Sequence, residues 1–369
     1  MRDKKKVVLT RPLKIFLATM VLANIASRMY HPLMALYLKN LGAGVQQVGL
    51  FFTLSAIAPL AFQILGGWMS DSLGRLKAVA IGSMAGMIGM LVYVVAPSWQ
   101  WLLIASAASA VAMSFVSPSF QAFVAEQSDE ENLGRVYGLS QSIFTIVGVV
   151  GPPLGGLLAD NFGFQTLFIV AAVLYGSATI IRVWMARRSR ASAEAGEEKS
   201  LSFQSLKSDM GAMIALLLGG GVITWILISD GVRDVTYRMA FEMESLYLQD
   251  ILGLTKTQIG WLMSLSSITT ALLMSQTGAL SDKHGERVGI VGGFGLIAGG
   301  LVVFLNSAGF WGCALAWVLF GIGSALIGPA YNALISKTVP QKLRGTAFGL
   351  FSTSIGFISL PAPYLGGIL

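Results

Sequence analysis

The chain has 369 residues and a formal net charge of +7, with 54% hydrophobic and only 12% charged residues. Ordinary soluble domains carry roughly 25% charged residues, so this composition excludes a water-soluble enzyme, a disulfide-rich secreted domain and a disordered chain. The single cysteine, Cys313, excludes an intramolecular disulfide and a cysteine metal cluster.

What remains is a polytopic membrane protein. A membrane-crossing helix needs about 20 apolar residues. Such stretches fall at 13–38, 46–69, 77–96, 99–124, 136–158, 164–186, 213–248, 258–280, 288–308, 310–335 and 346–369. They are too long and too unalternating for barrel strands, and helices satisfy their own backbone in lipid. The first stretch is too long for a cleavable signal peptide. The hydrophilic stretch 187–210 reads as a flexible linker between a bundle at 1–186 and another at 211–369. The seventh stretch is well beyond the length one crossing needs, so it must project from the bilayer or break, with Gly219–Gly221 as the expected break.

Basic residues set the orientation. Six stand in or near the N-terminus, and fourteen more, from Arg75 and Lys77 through Arg135, Arg182 and Arg187 to Arg344, share its side. The opposite loops hold Lys39 and Lys256, while Arg28, Arg233 and Arg238 fall inside spans. The expectation is a cytoplasmic N-terminus and a multi-pass protein of a prokaryotic plasma membrane. The charge is topogenic; no soluble basic face for nucleic acid is present.

The two halves repeat. Gly49, Gly67, Asp71, Gly74, Pro118, Pro152, Gly155 and Gly156 recur 211 residues later as Gly260, Gly278, Asp282, Gly285, Pro329, Pro363, Gly366 and Gly367. Nearer the start of each half the offset is 210, pairing Arg28-Met29 with Arg238-Met239. Six spans per half put both N-termini on one side, so the repeats are parallel about an axis along the membrane normal. Two such bundles enclose a cleft, and rocking them exposes a midplane site to each side in turn.

Two motifs carry a resemblance. The loop Gly67, Asp71, Gly74, Arg75 and Lys77 has an echo at Gly278, Asp282, Gly285 and Arg287. Glycine supplies the turn, and aspartate caps a helix or pairs with arginine. Such charge contacts can latch the bundles, and the same loops also serve as topology-fixing caps. In span 5, Gly148, Gly151, Pro152, Gly155 and Gly156 combine a proline kink with small residues for close packing. Together these resemble the major facilitator superfamily of secondary transporters along almost the whole chain. The resemblance implies an all-α fold of two pseudo-symmetric bundles, here with six and five helices. It also implies gating at the paired loops and, from span 5, antiport; plain helix packing is the competing reading of span 5. Its drug exporters often carry an arginine in helix 4 and an acid in helix 1. Span 4 here lacks a basic residue, and span 1 has Arg28 and His31 but no acid. The family pattern has a twelfth helix, so the expectation is a truncated sequence.

Charges inside spans are costly, roughly 2.5–3.5 kcal/mol each at the bilayer centre. Span 7 holds Asp230, Arg233, Asp234, Arg238, Glu242 and Glu244. The spacing allows Asp234–Arg238–Glu242 pairs at i,i+4 and an Asp230–Arg233 pair at i,i+3. With Arg28 and His31 these are the candidates for substrate and proton binding; an amphipathic extension at the surface is the competing placement.

The function expected is secondary active transport of a small molecule by alternating access, with proton-coupled efflux preferred. Uptake of an organic anion, held by Arg28, Arg233 and Arg238, is the alternative. A receptor or scaffold without transport is the reading of another class. No P-loop, catalytic group, metal cluster or cofactor site is expected, and the protein is expected to act as a monomer.

Overall fold

The computed structural model describes residues 9–128, 132–189, 222–338 and 354–369, and these are overwhelmingly helical. Most of the linker 187–210, and the expected break at Gly219–Gly221, lie outside the described residues.

Helix α1 begins at Arg11, where Thr10 accepts a bond from the Leu13 N–H and Pro12 occupies the first turn. Proline there sacrifices no helix bond, because that N–H has no intrahelical partner. The helix runs to Tyr30, tightens to a 3₁₀ turn at His31–Leu33 and resumes over Met34–Asn40. Pro32 has no N–H to continue the α ladder, which accounts for the break. Helices α2 (Val45–Leu73), α3 (Arg75–Val95) and α4 (Trp101–Glu126) follow. The next two spans form one element, Leu133–Ser189, turned at Gly163 with φ 80°. Its arms are α5 (133–162) and α6 (164–189).

In the second half, α7 covers Val222–Phe241, stops for two residues and gives way to a short helix at Glu244–Asp250. The interruption matches the 3₁₀ turn of α1 at the 210 offset. Helices α8 (Lys256–His284), α9 (Glu286–Leu305), α10 (Phe310–Thr338) and α11 (Ser354–Ile368) complete it. The turns before α3 and α9 are made by Gly74 and Gly285, at φ 83° and 87°. Side chains avoid that left-handed region, so glycine is needed in both loops.

Apolar side chains such as Ile180, Val95 and Trp311 stand more than 70% exposed. On helices of this length they face lipid. Inside the first bundle, Tyr30, Tyr37, Tyr93, Phe164 and Phe168 stack at centroid distances of 4.4 to 5.3 Å. Phe241, Phe304, Trp317 and Phe320 form the corresponding cluster in the second.

Arg182 departs from expectation. Read from sequence as a topogenic loop charge, it lies inside α6 and is 2% exposed. The helix continues to Ser189, carrying Arg182 about two turns into the bundle. Its donors reach the Thr19 hydroxyl at 3.1 Å and the Ser83 hydroxyl at 2.9 Å. The basic asymmetry is large without it.

Within the first bundle α5 crosses α1 very closely. A β-carbon at Gly155 would fall on the Met29 carbonyl, and one at Gly366 of α11 on the Met239 carbonyl. These are repeat-related crossings. Gly155→Leu should destabilise the protein by at least about 1–3 kcal/mol, the usual cost of overpacking. Gly292→Leu, where nothing stands within 4 Å, should leave the melting temperature in detergent nearly unchanged. Equal melting of both variants would refute the crossing.

Candidate functional site

The span 7 charges form two groups on α7. Arg233 Nη2 lies 2.7 Å from an Asp230 carboxylate oxygen. Arg238 donates from Nε to Asp234 at 2.8 Å and approaches Glu242 at 3.7 Å. One guanidinium thus stands between two carboxylates, one turn to either side, just before the helix stops. Side-chain exposures of 32% for Arg238 and 21–22% for its acids place the group in a partly open setting. Arg238 stands about one turn before the end of α7 at Phe241. Tyr331 of α10 joins from across the bundle. Its hydroxyl is 3.2 Å from that of Ser229, and Arg233 lies over its ring at 5.8 Å. Glu244 opens the short helix beyond the break and forms no ion pair among the described residues.

Arg28 and His31 share the exposed face of α1. The β-carbon of Arg28 is where a β-carbon on Gly151 of α5 would fall, at 2.5 Å. Gly151 and Gly155 therefore pack α5 on α1, whereas Gly156 packs it on α8, against the backbone of Lys256 and Thr257. A β-carbon on Gly148 would come within 4.0 Å of the Ser267 hydroxyl. Pro152 contributes its carbonyl, on which a β-carbon at Gly260 would fall.

The paired loops are less fully described. The side chains of Asp71 and Asp282 lie outside the described residues, and position 67 falls within α2. Arg75 donates to Glu126 at the end of α4, at 3.0 Å, and Lys77 and Arg287 are exposed. A β-carbon on Gly278 would meet a Pro329 side-chain atom at 4.0 Å.

Contacts that the sequence reading missed close the face opposite the N-terminus, called here the far face. The Asp160 carboxylate accepts from the Thr257 N–H at 2.8 Å, the Thr257 hydroxyl at 2.7 Å and the Lys256 N–H at 3.2 Å. It thus caps α8 from the other bundle, on the positive end of the helix dipole. Lys39 meets Asp250 at 2.6 Å. Ser264 donates to the Val149 carbonyl at 2.5 Å, and the Tyr364 N–H to Thr53. These inter-bundle hydrogen bonds all lie in one half of the molecule. The glycine contacts obey the repeat: Gly260 on Pro152 and Gly49 on Pro363. One signal for the charge pair was available, since Lys39 and Asp250 are themselves 211 residues apart.

Burial alone would raise the Asp160 carboxyl. The hydrogen bonds from Thr257 and Lys256, and the Lys256 charge, outweigh it and hold the group below the usual aspartate value. A depressed carboxyl contributes fully above its unfolded pKa, and that contribution is lost as pH falls through the folded value. Closure measured by spin labels at Asn161 and Ile251 should therefore not change between about pH 8 and about pH 5. Asp160→Asn should lengthen that distance throughout the range. Wild-type opening on acidification within it would overturn the cap.

The sequence matches the Major Facilitator Superfamily over residues 16–231 and 235–369. An uncharacterized MFS-type transporter of Methanocaldococcus jannaschii is 27% identical over 330 residues, 88% of this chain and 82% of the relative. The multi-drug resistance efflux pump PmrA of Streptococcus pneumoniae is 26% identical, over 84% of this chain and 77% of the pump. The quinolone resistance protein NorA of Staphylococcus aureus is 22% identical, over 92% and 84%. Among solved structures, a point mutant of the nucleoside transporter NupG superposes with a TM-score of 0.77 at 14% identity, covering 96% of this chain and 90% of that one. A bacterial homologue of the human lysosomal transporter Spinster gives 0.74 at 15% identity, over 97% and 81%.

Proposed function

The chain belongs to the Major Facilitator Superfamily, and from that premise we propose that this membrane transporter exports a small molecule in exchange for protons. The observation that carries the reading is the Asp234–Arg238–Glu242 group, set inside a span beside a helix break. A scaffold has no need of intramembrane ionisable groups, which cost insertion energy. The efflux pumps among the relatives support export.

The far-face closure supports a state open toward the N-terminal face. The basic asymmetry argues that this face is cytoplasmic. In that state Arg238 compensates both acids. Substrate or a rocking movement that draws the guanidinium away leaves a carboxylate uncompensated in a poorly solvated cleft. Such a group is neutralised by taking up a proton. Proton uptake and conformational exchange are thereby linked through one arginine, and the linkage is reciprocal.

Glu242→Gln in proteoliposomes should abolish transport driven by a pH gradient while keeping substrate exchange. Arg238→Gln should lose the driven mode as well. Wild-type behaviour of both variants in both assays would place these charges outside the coupling path. Orientation has its own check: on intact cells an impermeant maleimide should label Ser98→Cys and spare Ser192→Cys. The reverse pattern would invert the topology and the direction assigned to export.

A further inference from the structure

Besides Arg182, which is buried in the first bundle against Thr19 and Ser83, three arginines lie inside the spans, and the structure separates them. Arg233 is held by Asp230 and Arg238 by Asp234 and Glu242. Arg28 is exposed, and among the described residues no carboxylate lies within 4.0 Å of it. The repeat shows why. Arg28 and Arg238 are counterparts at the 210 offset, but the positions of Asp234 and Glu242 are occupied on α1 by Asn24 and Pro32. Among the described residues, the same guanidinium is therefore compensated in one half and uncompensated in the other.

Its position is built. Asn24, Ser27, Arg28 and His31 fall on one helical face, at i, i+3, i+4 and i+7. Ala23, Ala26, Met29 and Tyr30, on the other side, are buried in the first bundle. Gly151 of α5 fits against the Arg28 stem, and α5 in turn meets α8 where a β-carbon on Gly260 would fall on the Pro152 carbonyl and where Ser264 donates to the Val149 carbonyl. The turn at His31–Leu33 also packs on α8. Arg28 therefore stands where α1, α5 and α8 converge, at the junction of the bundles, roughly 18 Å from Asn40. Asn24 and Ser27 donate to the Met20 and Ala23 carbonyls of their own helix, so they do not supply a counter-charge.

We infer that Arg28 is an anion subsite, and that the transported molecule carries a carboxylate, sulfonate or phosphate that pairs with it. A cation held in a cleft between bundles costs free energy unless it is paired. Arginine's planar fork suits such oxyanions, which it can bind through two parallel bonds. His31, one turn onward on the same face, is placed to offer a further donor. The substrate then completes in the first half the compensation that Asp234 and Glu242 give in the second. This rests on the transporter reading of the same cleft, but binding tests it without any assumption about coupling.

The probes are fluorescein, which bears a free carboxylate, and rhodamine 6G, a related esterified cation. Binding to the purified full chain is read by fluorescence anisotropy, and flux in proteoliposomes with and without a pH gradient. Wild type should bind fluorescein more tightly than rhodamine 6G. Arg28→Gln should raise the fluorescein Kd about tenfold, equivalent to ~1.4 kcal/mol. Arg28→Lys should restore only part of it, since lysine keeps the charge without the fork, and rhodamine 6G should respond by less than about twofold on the same scale. Loss of both dyes together in Arg28→Gln, or no wild-type preference for fluorescein, would overturn the subsite. Fluorescein binding that depends on Arg28 without any flux would sink the transport reading and leave the subsite standing.

Discussion

Two helix crossings at the far face have no room for a β-carbon, and the arrangement of the molecule depends on them. Gly260 lies on the Pro152 carbonyl and Gly49 on the Pro363 carbonyl. Backbone meets backbone, so α8 sits against α5 and α2 against α11 with no side chain between them. In lipid this is where association energy arises, because apolar side chains gain little by leaving lipid for one another. Pro153 has no N–H to claim the Val149 carbonyl one turn back, and that carbonyl accepts from Ser264 of α8 instead. Closure on this side sets the bundles apart from it, and the cleft follows from that geometry.

Magnitudes identify the contacts that govern closure. Lys39 and Asp250 are 51% and 41% exposed at the side chain. Such a pair contributes about 0–1 kcal/mol. Asp160 is a different case, with four hydrogen bonds from α8 residues and a helix dipole behind them, and caps of this type are worth about 1 kcal/mol. Neither is large beside the packing at the glycines. A door that must open repeatedly needs closure of only a few kcal/mol, and weak polar contacts over a tight crossing meet that condition. Small-residue packing also separates cleanly, leaving no buried charge behind.

Much of the fold was legible because two periodicities coincide. The apolar lengths marked the spans, and the 211 offset fixed their parallel pairing. Even the left-handed glycines at 74 and 285 could be named, since a turn between helices demands them. The charges on α7 were legible from i,i+4 spacing alone. Arg182 was not: near the end of an apolar run, a buried and a loop arginine look alike until the helix is seen to continue past it. Its partners Thr19 and Ser83 lie on other helices, beyond any local pattern. Asp160 was missed for the same reason, as its partner is the backbone of a helix almost a hundred residues on. The role of Gly151 needed the crossing angle of α5 on α1, which spacing does not contain.

The repeat explains both halves of the charge pattern. Residues near a two-fold pseudo-axis meet their own counterparts, as Lys39 meets Asp250. Identical charges there would repel, so the duplicated position can stabilise closure only if the halves diverge to opposite signs. Away from the axis the constraint is different. Arg28 and Arg238 do not meet, so both can remain arginine, and divergence acts on their neighbours instead. In the second half the neighbours are carboxylates, which make the arginine a bridge within the protein. In the first they are Asn24 and Pro32, and the same arginine is left to bind from outside. A symmetric frame can thus carry two unlike sites, one internally compensated and one open, because symmetry fixes the positions of the helices but not the charges beside them.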